Sequence, residues 1–280
     1  MGNRLARVDT LVGCATTSAV PELPEVERAA RALSRAALGK TISVVRAIHP
    51  ALKRKLPPAR ARAARGKRIQ TIERRGKHQL LGLDSGDTLV VHFRMNGDWE
   101  IGATGDELDR FARAVIELED GTRISLVDRR ALSSITLDKE GTSSLPRLGK
   151  EASDPTLDAA YLAEVLGRRK IAIKPALMDQ SVLAGLGNIY AAEALWEAEL
   201  DPRSPAPKVS GKKLEKLVEA IRLVLSPRRR RPGRYTDTRN RDRFAVYDRE
   251  GKICRRCGGT ILRVVQAGRS TYFCPDCQTG

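Results

Sequence analysis

Aromatic residues are scarce in this 280-residue chain: four Phe, two Trp and five Tyr, 4% of the total. That is too few for a protein that lays a single nucleic-acid strand over successive aromatic platforms. Long apolar runs are missing too. No stretch reaches the ~18 residues of a spanning helix, and no basic amphipathic helix carries an aromatic face, so no membrane partner is expected. Acids are short relative to bases, 34 against 51, which leaves a net charge of +17 and a pI near 10.1. Such an excess calls for a polyanion, nucleic acid in the first place. An export signal is also lacking: Leu11-Val12-Gly13-Cys14 superficially resembles a lipoprotein cleavage box, but the apolar stretch before it is short and carries Asp9. The expected compartment is the cytoplasm, where Cys-x-x-Cys pairs hold metal more often than they form disulfides.

With 41% hydrophobic residues, the chain has material for two compact domains and a small appendage. From Glu25 to Leu38, Val26, Ala29, Ala30, Leu33 and Ala37 recur at spacings of three and four, and Gly39 ends the pattern, as in an amphipathic helix. The period then becomes two. Segments 41–48, 69–73, 79–83 and 88–93 read as strands, and 112–127 as a hairpin turning at Glu119-Asp120-Gly121-Thr122. This is the pattern of a β-sandwich with a flanking helix. A polar linker is expected over 139–152. Helices follow: one capped by Asp154-Pro155, one after Lys174-Pro175, one after Asn188 and one over about 210–225. Residues 226–244 form an arginine-rich connector suited to nonspecific phosphate attraction, and 245–280 a cysteine module.

Cys254-x2-Cys257-x16-Cys274-x2-Cys277 is the most specific motif. Two such turns supply four thiolates to one tetrahedral zinc ion and leave no open position, so the expected Zn2+ is single and structural. Between the pairs, 260–265 and 270–273 read as hairpin strands, with Arg269 at the tip as a candidate phosphate contact. Gly185-Leu186-Gly187-Asn188 opens a helix. Its glycines, free N–H groups and capping Asn188 predict an anion site that a phosphate could approach closely. Arg74-Arg75-Gly76-Lys77-His78 and His92-Phe93-Arg94-Met95-Asn96-Gly97 each join cations to a turn, and Met95 is placed to wedge into stacked bases. Duplex DNA with one extruded base fits these features.

The run Pro21-Glu22-Leu23-Pro24-Glu25-Val26-Glu27 follows Val20, which can be a GUG start codon read literally. Translation from there, with the initiator trimmed, would leave a free secondary amine on Pro21. An α-amino group titrates near about 7.7–8.0, so it is a nucleophile at neutral pH without burial, and a secondary amine yields an iminium that stays cationic. Glu22 could shuttle the proton. Residues 1–20 then read as a non-native or disordered extension.

Together these motifs resemble the formamidopyrimidine-DNA glycosylase and endonuclease VIII family of base-excision repair, with the opening run favouring the formamidopyrimidine branch. The resemblance covers about 21–280 and implies an α+β multidomain fold. Its parts are an N-terminal β-sandwich with flanking helices over 21–138, the linker 139–152, a helix-two-turn-helix domain with its basic connector over 153–244, and a C-terminal β-hairpin zinc finger over 245–280. It implies a monomer acting on damaged double-stranded DNA as glycosylase and β,δ-elimination lyase. In that reading Pro21 is the Schiff-base nucleophile, Glu22 the proton donor and acceptor, Lys77 a proton donor near the phosphate, and Arg269 an arginine of the elimination step. His92, Asn188 and Lys174 are implied in DNA binding. Met95, Arg130 and Leu132 match the set that fills the gap left by the flipped base. Two departures stand out. Leu132 replaces a Phe wedge, and the arginine-rich connector replaces the loop that caps 8-oxoguanine. The lesion therefore stays open between 8-oxoguanine, formamidopyrimidines and oxidised pyrimidines. A binding protein without catalysis is the alternative if Pro21 is not a free terminus.

Overall fold

The computed structural model describes residues 21–226 and 244–280; the expectations for the extension 1–20 and for nearly all of the arginine-rich connector lie outside the described residues. Helix α1 (Leu23–Ala37) opens the chain. It begins two residues before the expected start because Pro24 is tolerated in a first turn, where its missing N–H has no helical partner. The Glu22 main-chain N–H donates to the Glu25 carboxylate at 3.1 Å. The apolar positions read from the sequence, Val26 to Ala37, are all buried.

Strand β1 (Ile42–Ala47) and the short helices α2 (Pro50–Lys53) and α3 (Pro58–Arg62) follow. Then come β2 (Ile69–Arg75), β3 (His78–Leu83), β4 (Thr88–His92), β5 (Asp98–Ala103), β6 (Ala112–Leu118), β7 (Thr122–Val127) and β8 (Ser134–Asp138). They form two four-stranded antiparallel sheets, ordered β1-β6-β7-β5 and β2-β3-β4-β8. The inward residues of both sheets and the apolar face of α1 make one core, in which Ile42, Leu81, Leu89 and Ile116 are fully buried. Each such side chain contributes roughly 1.5–3 kcal/mol of transfer free energy. The period-two pattern located the strands through β4 and the β6–β7 hairpin but not β5 or β8. β5 is an edge strand whose last four residues are exposed, so it shows no alternation.

One end of this sandwich gathers three connections. The β2–β3 turn carries Lys77, and the pairing His78↔His92 places it beside the end of β4. From His92 the chain crosses to β5 in the other sheet. The pairings His92↔Ser134 and Asp98↔Val127 bring the return crossing from β7 to β8 alongside. Met95 lies on the first crossing, Arg130 and Leu132 on the second.

The second unit is helical: β9 (Lys150–Glu151), α4 (Ala159–Gly167), α5 (Ile173–Met178), β10 (Leu183–Ala184), α6 (Asn188–Glu197) and α7 (Lys212–Leu225). β9 pairs in parallel with β10, so the end of the expected linker is strand. Helix α4 is capped by Asp158, whose carboxylate accepts from Tyr161 N–H at 2.8 Å. Asp154, the expected cap, instead closes a turn onto Thr156 at 2.7 Å. Helix α5 contains Lys174-Pro175 instead of following it, with Pro175 in its first turn. Among the described residues no helix is long and apolar enough to cross a membrane. The finger hairpin, β11 (Leu262–Gln266) and β12 (Arg269–Phe273), turns through Ala267 and Gly268 at φ 47° and 71°. Two left-handed residues are what a two-residue hairpin turn with matching strand twist needs.

The units are joined by ionised side chains. Arg74 Nε binds Glu27 Oε2 at 2.8 Å and its Nη1 binds Glu151 Oε2 at 2.5 Å, while Arg75 Nη1 takes Glu151 Oε1 at 2.6 Å. These two cations of the β2–β3 turn are thus consumed in the joint. Burial alone would raise the Glu27 pKa, but hydrogen bonds from Arg74 and Arg31 bring it below the ordinary value.

Candidate active site

Glu22 is 1% exposed, although it lies only one residue after Pro21. Its Oε1 accepts from Ile189 N–H at 2.9 Å and its Oε2 from Tyr190 N–H at 3.2 Å, both in the first turn of α6. At this helix start, where the sequence predicts an anion site, the N–H groups meet the protein's own Glu22 carboxylate. The glycines serve that contact. A Cβ on Gly187 would collide with the Glu22 carboxylate and lie 2.6 Å from Lys77 Nζ, and one on Gly185, at φ +91°, would strike Leu23. Leu23 in turn belongs to the helical core, so the residues around Pro21 are stitched into the second unit.

Cations converge on this carboxylate. Burial pushes the Lys77 pKa down and so does the charge of Arg269, against the opposite pull of Glu22 and Glu25. A lysine so shifted gives up its proton more readily than an ordinary one. Lys174 is 1% exposed and its Nζ donates to Asn188 Oδ1 at 2.5 Å and to Thr271 Oγ1 at 2.8 Å. Burial, outweighing Glu22 and aided by Arg269, brings its pKa down to about 8. Asn188 is not the cap but the first helical residue. Gly187 occupies the cap position, and Asn188 Nδ2 donates to Ser270 O at 3.1 Å, tying α6 to the finger hairpin. Arg269 is exposed at the start of β12, next to the turn.

His92 sits at the sandwich end with its Nδ1 accepting from Arg94 N–H at 2.9 Å. That bond leaves the ring proton on Nε2, a neutral donor suited to an anionic oxygen. Burial first, then the charges of His78, Arg94, Lys77 and Lys55, lower its pKa to about 3. Met95 is half-buried, Arg130 is exposed and Leu132 is 42% exposed. What holds the last two is Asp128, 0% exposed, whose carboxylate accepts from the N–H groups of Arg130 at 2.9 Å and of Leu132 and Ser133 at 2.7 Å each. The structure therefore brings Glu22, Lys77, Lys174, Asn188 and Arg269 into one cluster. His92 borders it through Lys77, and Met95, Arg130 and Leu132 stand on the adjoining loops.

Two further residues escaped the sequence. Asp128 was given no role; its signal is an acid followed by a turn able to fold back onto it. Glu193, on α6, accepts from Ala245, Val246 and Tyr247 N–H at 2.8–2.9 Å and so anchors the start of the cysteine module. Burial raises its pKa despite those bonds.

The Sγ atoms of Cys254, Cys257, Cys274 and Cys277 lie within 4.8 Å of one another, with Cys254–Cys277 at 3.8 Å and Cys257–Cys274 at 3.4 Å. A tetrahedron with Zn–S bonds of about 2.3 Å has S···S edges of about 3.8 Å, so the donor set fits one zinc ion.

Three family models match the chain: the formamidopyrimidine-DNA glycosylase N-terminal domain over 20–135, its H2TH domain over 148–231, and the zinc finger found in FPG and IleRS over 251–280. The formamidopyrimidine-DNA glycosylase of Chloroflexus aurantiacus is 38% identical over 271 residues, covering 92% of this chain and 98% of the relative. This chain belongs to the formamidopyrimidine-DNA glycosylase family. The Heliobacterium modesticaldum member is 40% identical over 277 residues, covering 92% of this chain and all of the relative. Among solved structures, the Lactococcus lactis glycosylase bound non-covalently to DNA with an AP site superposes with a TM-score of 0.84 at 28% identity, over 93% of this chain and 100% of that one. A MutM complex with carbocyclic 8-oxo-G DNA gives 0.83 at 29% identity, with the same shares. Membership accounts for the three-part architecture and for a finger holding one zinc.

Proposed function

We propose that this chain removes oxidised bases from duplex DNA and then cleaves the strand at the resulting sugar, with Pro21 as nucleophile. The observation that carries this reading is the position of Glu22. A carboxylate one residue after Pro21 is buried on a helix N-terminus, beside Lys77, Lys174 and Arg269, in a chain of this family. The Pro21 nitrogen bonds to C1′ as the base departs with the glycosidic electrons. The departing base takes up a proton from water, the proton shed by the Pro21 nitrogen passes through the Glu22 carboxylate to the sugar ring oxygen, the ring opens, and a C1′=N iminium remains. Loss of a C2′ proton into that electron sink expels the 3′ phosphate, and a second proton loss, from C4′, expels the 5′ phosphate. Water then frees Pro21. Lys77, His92 and Arg269 would stabilise phosphate charge, Lys174 and Asn188 would hold the finger against the site, and Met95, Arg130 and Leu132 would fill the vacated stack. Zinc bound by the four cysteines holds the finger fold and takes no part in bond breaking.

A second reading rests on one specific observation. In the chain as written, Val20 acylates Pro21, and an amide nitrogen has no lone pair to offer. A protein that kept residues 1–20 would bind damage without cutting it. Nicking assays on duplexes carrying 8-oxoguanine, a formamidopyrimidine or an oxidised pyrimidine separate the two. The Pro21-started protein should cut at least one and the Met1-started protein none. A Pro21-started protein that cuts none overturns the proposal.

A further inference from the structure

Arg74, Arg75 and Arg123 each have acidic or carbonyl partners. The segment from Lys53 to Arg68 is different. It holds eight lysines and arginines and no acid. Lys53, Arg54, Lys55, Arg60, Arg62 and Arg65 are exposed, and none of them has an ion-pair partner among the described residues. The segment is nevertheless ordered: Leu52, Leu56, Ala61 and Ala64 are buried in the sandwich core, and the His49 ring caps α2 by accepting from Ala51 N–H at 3.3 Å. Charges fixed on a packed scaffold lose less freedom on binding than charges on a loose tail.

The track also has a direction. Just before α2, the Ile48 and His49 N–H groups donate to Arg113 O at 2.8 and 3.1 Å, and Arg113 Nε donates to Asp128 O at 2.6 Å, so this end of the track borders the sandwich end where Asp128 holds Arg130 and Leu132; the charge of Lys55 also disfavours the His92 imidazolium. We infer that the basic track over Lys53–Arg68 continues the DNA-binding surface and neutralises backbone phosphates of the duplex flanking the lesion. The inference rests on the glycosylase reading for which DNA is bound, but it assigns a surface that takes no part in the chemistry. A regular duplex presents phosphates at about one per 1.7 Å of axis, and cations on this segment, which carries no acid, meet them without reading bases, so its contribution is independent of sequence and sensitive to salt.

The test uses the Pro21-started protein and a duplex of ~30 base pairs bearing a central abasic-site analogue, with affinity measured across a salt series. Each phosphate released from its counterion contributes about 0.9 to the slope of log affinity against log salt. Lys53→Gln, Arg54→Gln and Lys55→Gln combined should lower that slope by about 2–3, while single-turnover cutting at saturating lesion duplex is unchanged. Lys53→Arg with Lys55→Arg, which keeps the charge, should retain the slope and controls for folding. An unaltered slope in the glutamine variant would overturn the inference and leave the glycosylase reading intact. Wild-type protein that binds with the full slope but never cuts would sink the glycosylase reading and leave this surface standing.

Discussion

Glu22 carries two tasks at once. Its oxygens terminate the N–H groups of α6, and the same group lies beside the proposed nucleophile. Glu22→Gln separates them, because the amide oxygen can still accept a helix N–H while proton transfer is lost. Single-turnover excision should fall by about 10²–10⁴-fold with lesion-duplex affinity nearly unchanged; a parallel loss of affinity would mark Glu22 as a strut only. His92 makes a prediction about pH. A base whose pKa is lower in the folded state binds fewer protons there than in the unfolded chain. Its contribution to stability is therefore intact above the ordinary value of 6.5 and is lost as pH falls toward about 3. The melting temperature should drop through that window, and His92→Asn should flatten the drop, which thermal denaturation at stepped pH measures.

At the scale of elements, the crossing from β7 to β8 depends on one side chain. Asp128→Ala removes the acceptor of three N–H groups and should cost about 2–3 kcal/mol by chemical denaturation. It should also blur discrimination among the four bases opposite the lesion, read as the spread of nicking rates, because Arg130 and Leu132 lose their fixed backbone. How far the sequence reached follows from the range of the forces involved. Helix α1, the β6–β7 hairpin and the finger hairpin were legible because periodicity, glycine turns and cysteine spacing act within a few residues. β5 was not, since an exposed edge strand need not alternate. Most of the site was legible by residue type, yet its wiring was not. The glycines before α6 signalled a close approach, but the group approaching is Glu22, 167 positions from Ile189, and local pattern does not name such a partner. Arg74 and Arg75 looked like free cations for the same reason; their acids lie on α1 and β9.

At the scale of the molecule, α6 ties the Glu22 cluster to the finger. Its first turn holds Glu22, its middle holds the entry to the cysteine module through Glu193, and the Trp196 carbonyl accepts from Arg256 Nη1, between the finger cysteines, at 2.7 Å. Lys174 and Asn188 close the loop by binding β12, so the finger tip carrying Arg269 is referenced to the same helix that seats the carboxylate next to Pro21. The architecture also supplies a rival amine. Burial brings the pKa of Lys174, which adjoins the site, down to about 8, which makes it the amine that competes with Pro21. Borohydride trapping of the Pro21-started protein on abasic-site duplex, followed by mapping of the modified peptide, decides between them. The account predicts a covalent cross-link on the Pro21 nitrogen; no cross-link, or one on Lys77 or Lys174, would contradict it.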